Sequence, residues 1–205
     1  NGKRTGFDVE LVEAIAKTMG KQVEWVDIDF KGLIPGLISK RFDMAVSAIY
    51  ITDERKKVVD FTDSYYAGGL VVMVKADNKA INKLADLDGK KVSVQVGTKS
   101  VSYLTEKFPK VQRVEVEKNQ EMFNLVDIGR ADAAVTGKPA AFQYVRTRPG
   151  LRVLDEQLTT EEYGMALRKD TPELTKAVNG AITKPKADGT YAAIVKKWFS
   201  KSAAK

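Results

Sequence analysis

The chain has 205 residues, 43% of them apolar, with 34 basic and 27 acidic side chains for a formal charge of +7. It contains neither histidine nor cysteine, which removes the usual neutral-pH acid/base, the commonest zinc ligand and the thiolate nucleophile, and with them metal hydrolases and Cys or Ser–His enzymes. No apolar run reaches the roughly 18 residues of a membrane span, and the bases are interleaved with acids, their doublets Lys56–Lys57, Lys90–Lys91 and Lys196–Lys197 spread apart, as on a solvated surface rather than a nucleic-acid site.

From the amino terminus, Asp8 is placed to cap a helix whose apolar positions Leu11, Val12, Ile15, Ala16 and Met19 recur at helical spacing, and Gly20 ends it. Gln22–Ile28 then reads as a strand, Leu33–Ser39 as a short helix, Met44–Ile49 as a buried strand and Val58–Phe61 as a short extended piece. The apolar run Leu70–Lys75 reads as a crossing strand, followed by a polar loop. A second series follows: strand Lys91–Val96, helix Ser100–Phe108, strand Gln112–Val116, helix Gln120–Ile128, strand Ala131–Val135, helix Pro139–Thr147 and strand Leu151–Leu154. Tyr163–Arg168 returns as a strand, and helices near Pro172–Lys186 and Gly189–Ser200 close the chain. Pro185, late in the first of these, predicts a kink or an early end, because proline removes a helix hydrogen bond. The alternation predicts an α/β structure rich in parallel strands.

Three places carry candidate chemistry. Between Phe42 and Gly69 a strand runs into a polar turn and a charged helix start led by Thr52. Arg55 lies just beyond the strand's carboxyl end, where open α/β sheets bind ligands, and its planar fork suits a carboxylate. Ala48 and Tyr50 stand at the same strand exit. Of Tyr65 and Tyr66, one is expected to line the site and one to pack, with Tyr65 taken as the liner. The second place is Gly97-Thr98-Lys99-Ser100, where a strand gives way to a helix whose first N–H groups, with the Thr98 hydroxyl, can hold an anion. An ordinary helix cap is the plain alternative. Thr136-Gly137-Lys138-Pro139 is a second such junction, with Pro139 suited to a first helical turn.

The run from Asp43 to Gly69, D-x-A-V-x-x-x-x-I-T-x-E-R-K-K-x-V-D-F-(S/T)-D-x-Y-Y-x-x-G, resembles the signature of the polar amino-acid family of bacterial extracytoplasmic solute-binding proteins, the receptors of ABC importers. TGFDVELVEAIAKTMG upstream, and LADLDGKKVSVQVGTKS, VDIGRADAAVTGKPAA, YGMALRKD and ADGTYAAIVKKWF downstream, extend the likeness over nearly all the chain. The resemblance implies a two-lobed type II periplasmic-binding-protein fold, α/β in class, with a ligand cleft between lobes and hinge crossings near Gly68–Val72 and Thr159–Gly164. Residues 1–70 and 163–205 would form a discontinuous first lobe and residues 71–162 the second. It further implies a non-catalytic, monomeric receptor outside the cytoplasm that passes a small amino or carboxylic acid to a membrane permease, with no nucleic-acid partner and no cofactor or metal. Arg55 and the Thr98 turn would share the ligand's α-carboxylate. Family members also carry a first strand and an aromatic loop ahead of the position of Asn1, so the chain is expected to be a shortened one with no signal peptide.

Departures from the family concern specificity. Gly137 stands where an Asp usually meets the ligand's α-ammonium, a contact worth about 1.5–3 kcal/mol. Tyr50 replaces a small Ser or Thr, and Lys99 a small residue. With Lys138 and no acid in view, the set Arg55, Lys99, Lys138 would favour a dianion or an acid lacking an amino group. Two other classes resemble this scaffold. A cyclohexadienyl dehydratase would need a buried general acid, and Gly137–Ala141 offers none. A sensory or channel ligand-binding domain would need membrane segments or a fused partner.

Overall fold

The computed structural model describes residues 4–199. These divide into two compact units, one drawn from residues 4–28, Leu33–Tyr66 and residues 163–199, the other from Asp29–Gly32 and Ala67–Glu162. Residues 29–32, expected in the first lobe, therefore belong to the second unit.

In the first unit, α1 (Phe7–Thr18) buries Phe7, Leu11, Val12 and Ile15 along one stripe, as its spacing dictates. It ends in a left-handed Gly20 at φ 64°, with the Lys21 N–H donating back to the Ala16 carbonyl. Asp8 is not its cap. Gly6 holds that position without a side-chain bond, and Asp8 lies inside the first turn. After the 3-10 turn Phe30–Gly32 come α2 (Leu33–Ile38), β1 (Met44–Ala45), α3 (Asp53–Lys56) and β2 (Asp60–Phe61).

The expected strand at Gln22–Ile28 does not form, and no residue of that run makes a backbone hydrogen bond to another described residue. Strand pattern is necessary but insufficient, because a strand exists only against a partner edge. The expected strand Met44–Ile49 is cut to two residues, because Ala48 turns left-handed at φ 46° and deflects the chain.

The chain leaves and re-enters this unit through β3 (Tyr66–Gly68) and β9 (Glu161–Tyr163), which pair with each other. The first unit's sheet is completed by β10 (Ala166–Leu167), antiparallel to β1 on one side and β2 on the other. The last helices, α7 (Pro172–Ala187) and α8 (Thr190–Phe199), pack on α1. Pro185 does not stop α7 early; the helix runs on to Ala187, so the proline sits buried in the last turn, where it forfeits a single hydrogen bond.

The second unit is a five-stranded sheet whose strands are β4 (Leu70–Lys75), β5 (Lys91–Gln95), β6 (Gln112–Val116), β7 (Ala133–Gly137) and β8 (Leu151–Gln157), in the order β6-β5-β7-β4-β8. β5 runs parallel to β6 and β7, whereas β4 is antiparallel to β7 and β8. The parallel character thus holds for the strands joined through helices and fails for β4, which enters from the other unit instead. β4 is apolar from Leu70 to Val74 because neighbours bond both its edges and these side chains are buried on both faces. Helices α4 (Lys99–Lys107), α5 (Asn119–Asp127) and α6 (Lys138–Val145) cover the sheet. Met73, Met122, Phe123, Val126, Ala134 and Leu151 form one core, and buried Ser93 is satisfied by donating to the Met122 carbonyl at 2.9 Å.

Gly69 starts β4 where two backbones nearly touch. Its carbonyl accepts the Lys138 N–H at 2.8 Å, Leu70 N–H donates to Thr159 Oγ1 at 3.0 Å, and a Cβ on Gly69 would overlap the Thr159 carbonyl oxygen. Gly69→Ala is therefore expected to lower unfolding stability by about 3 kcal/mol, the upper range for forced overpacking. An unchanged urea midpoint would contradict that close approach.

Candidate functional site

In the first unit the site residues are gathered by one carboxylate. Asp8 Oδ2 accepts the backbone N–H of Ala48 at 2.8 Å, and its Oδ1 accepts the hydroxyl proton of Tyr65 at 2.8 Å. Ala48, held at φ 46°, is a non-glycine residue in the left-handed region, a conformation that costs of order 1 kcal/mol and persists where surrounding bonds impose it. Burial pushes the Asp8 carboxyl above its ordinary range, although both hydrogen bonds pull the other way. Burial and the neighbouring Asp8 push Tyr65 up as well, so its hydroxyl remains a donor.

Tyr50, two residues past Ala48, bridges to Tyr163 through the backbone, and their rings stack at 4.9 Å with planes 1° apart. Tyr66 also stacks with Tyr163, at 5.9 Å, and meets Phe7 at 5.5 Å. Tyr65, expected to line the site, is 2% exposed with its hydroxyl donated to Asp8, while Tyr66 is half-buried. Tyr50 is likewise 6% exposed, packed into the ring stack rather than standing as a wall.

Arg55 is positioned by two local bonds. Thr52 caps α3, its Oγ1 accepting the Arg55 N–H at 3.2 Å, and the Arg55 guanidinium donates through Nη1 to the Tyr50 carbonyl at 2.9 Å. The fork is thereby tied to the strand exit that Asp8 shapes. Ala48, Tyr50, Arg55 and Tyr65 are brought together in one region, with Asp8, Tyr66 and Tyr163 added to the set.

In the second unit the two helix starts α4 and α6 follow β5 and β7, adjacent parallel strands, so both turns lie at the same edge of the sheet. Gly97 adopts φ 76° and would meet Lys31 Cα at 3.1 Å if it carried a Cβ. Thr98 is the N-cap of α4 but makes no capping bond; its hydroxyl donates back to the Gln95 carbonyl at 2.8 Å, which leaves its oxygen as an acceptor rather than a donor toward an anion. Ser100 is 2% exposed, so its side chain is packing, not lining.

Lys99 corrects the expectation of an unneutralised cation. Its Nζ lies 2.6 Å from Glu161 Oε1, with side chains 31% and 10% exposed. Glu161, distant in sequence, carries no spacing that could have revealed it. Gly137 ends β7 half-buried, and the exposed Lys138 extends over the Phe142 ring at 5.9 Å with Gln157 Oε1 at 3.5 Å. Among the described residues no group of three His, Cys, Asp or Glu could hold a metal, and no helix is long and apolar enough to cross a membrane.

The model of the bacterial extracellular solute-binding proteins, family 3, matches residues 1–201. The chain belongs to that family. It is 36% identical to the L-cystine-binding protein TcyJ of Escherichia coli (strain K12), over 97% of this chain and 76% of that protein. It is also similar in structure to an ancestral arginine-binding protein bound to arginine, with TM-score 0.92 and 41% identity over 98% of this chain and 90% of that one. An ancestral amino acid-binding protein described as a precursor of cyclohexadienyl dehydratase matches with TM-score 0.90 and 41% identity, over 98% of this chain and 88% of that one. The family member described here thus has the α/β type II periplasmic-binding-protein fold.

Because Asp8 titrates higher in the folded family member than in the unfolded chain, the folded state takes up its proton first as pH falls. Asp8 therefore adds a stability component that declines as pH rises above 3.8 and levels off once the folded carboxyl is ionised. Asp8→Asn should remove that slope from a stability–pH curve measured by urea unfolding; a variant curve parallel to the parent's would contradict the assignment.

Proposed function

We propose that this chain is a non-catalytic receptor, working outside the cytoplasm, that captures a small polar carboxylate, foremost an amino acid, and hands it to an ABC importer. The observation that carries the reading is the Arg55 guanidinium held through Nη1 on the Tyr50 carbonyl at a strand exit, a planar fork of the kind that binds carboxylates. In the second unit, the first N–H groups of α4, from Lys99 onward, form an anion-binding helix start of their own. Tyr66 supplies an aromatic surface for the ligand's body.

The Lys99–Glu161 pair bears on ligand class. With Lys99 matched by an acid, one of the three cations that favoured a dianion is neutralised, and the case for a dicarboxylate weakens. The names of relatives, which bind cystine and arginine, agree with an amino acid. The enzyme reading is disfavoured because Glu161 already accepts from Lys99 and no other acid stands at the Gly137 turn to protonate a leaving group.

Calorimetry with arginine, glutamine, cystine, glutamate and succinate tests the reading. An amino acid is expected to bind, and Arg55→Ala to abolish binding, with loss of a charged hydrogen-bonding group worth about 1.5–3 kcal/mol per bond. Undiminished affinity in the variant would remove Arg55 from the site, and phenylpyruvate formed from added prephenate would replace the receptor by an enzyme.

A further inference from the structure

Both oxygens of Asp8 act as acceptors, Oδ2 from the Ala48 N–H and Oδ1 from the Tyr65 hydroxyl, each at 2.8 Å. Protonation turns one of the two oxygens into a donor. A proton on Oδ2 sets an O–H against the Ala48 N–H. A proton on Oδ1 forces the Tyr65 hydroxyl to turn round and accept, and the Ala48 N–H is left with a neutral acceptor, about half as strong as a charged one. On either route the Ala48 turn loses hold. Ala48 stands at φ 46°, a conformation that alanine keeps only while its surroundings impose it.

The groups around Asp8 leave the proton to it. Burial pushes the hydroxyls of Tyr65, Tyr163, Tyr66 and Tyr191 up, so these neighbours stay neutral wherever a carboxyl titrates. On α1 itself Glu10 is bonded by Lys197 of α8. Helix α7, which also packs on α1, buries Val178, Ala181 and Ile182 and leaves Glu173, Lys176, Lys184 and Lys186 exposed. Arg55, beyond the turn, keeps its charge throughout. Burial in turn raises the Asp8 carboxyl above its ordinary 3.8, although the bonds from Tyr65 and Ala48 favour the anion. Fold and turn thus pull on one proton in opposite directions.

We propose that Asp8 is a proton switch for ligand affinity: ionised, it holds the Ala48 turn and with it the Tyr50 carbonyl on which Arg55 rests; protonated, it lets the turn go and the ligand leaves. The switch presupposes the receptor function proposed above. It acts in mildly acidic medium, because the folded chain takes up this proton above 3.8. Linkage is reciprocal, so a ligand that needs the anion drives the proton off as it binds.

Calorimetric titration of the intact chain with arginine, glutamine and cystine, stepped from about pH 7.5 down to about pH 4 while the chain stays folded, tests the switch. Affinity is expected to fall about tenfold across that range. Titrations near the midpoint in buffers of different ionisation enthalpy should show protons released on binding. Asp8→Asn has no proton to lose and is expected to bind with the weaker affinity at every pH. Tyr65→Phe removes a bond that favours the anion, so its fall in affinity should move to higher pH; this holds the test if Asp8→Asn does not fold. An unchanged parent affinity across the range, a pH dependence that survives in Asp8→Asn, or an unmoved midpoint in Tyr65→Phe would each overturn the switch and leave the receptor standing. A chain that binds none of the three amino acids at about pH 7.5 would overturn the receptor reading and the switch with it.

Discussion

The carboxylate of Asp8 joins three stretches of the first unit that lie far apart in sequence: the first turn of α1, the left-handed turn at Ala48, and Tyr65 just ahead of β3. Each oxygen takes one donor, and a half-buried carboxylate that lost either would be left with an unsatisfied lone pair and an unshielded charge. The bond to Ala48 explains a conformation that alanine does not adopt by itself. The bond to Tyr65 explains why one tyrosine of the pair is buried and its neighbour is not. Everything proposed for the first half of the site follows from this arrangement, since the turn at Ala48 sets where Tyr50 leaves the sheet, and the Tyr50 carbonyl receives the Arg55 guanidinium.

The second unit reaches a comparable end by different means. Its two helix starts need no side chain to aim them, because adjacent parallel strands β5 and β7 deliver both turns to one edge of the sheet. What the side chains adjust there is charge. Glu161 matches Lys99, whereas Lys138 is exposed over the Phe142 ring.

The helices and buried strands were legible wherever the signal is local. The stripe of α1, the unbroken apolar run of β4 and the Thr52 cap before Arg55 all stand in the sequence within a few residues of where they act. Family likeness, from the run between Asp43 and Gly69, added the family and the fold. What was not legible depends on partners. Residues 22–28 have a strand's pattern but no bonded neighbour, β9 was unseen because its partner β3 lies near the opposite crossing, and Glu161 finds Lys99 only through the fold. Asp8 looked like a helix cap because acids favour that position; its actual bonds span 40 and 57 residues. Pro185 was read too severely, since a proline in a last turn forfeits little.

The claim at the centre of this account is that the Asp8 grip sets the carboxylate-binding geometry at Arg55. Calorimetric titration of Tyr65→Phe with the amino acid that binds the parent chain tests it most directly. The variant keeps the ring and its packing and removes one hydroxyl bond to Asp8. A folded variant whose affinity falls about tenfold or more, equivalent to about 1.4 kcal/mol, is the predicted result. A folded variant that binds as tightly as the parent would contradict it.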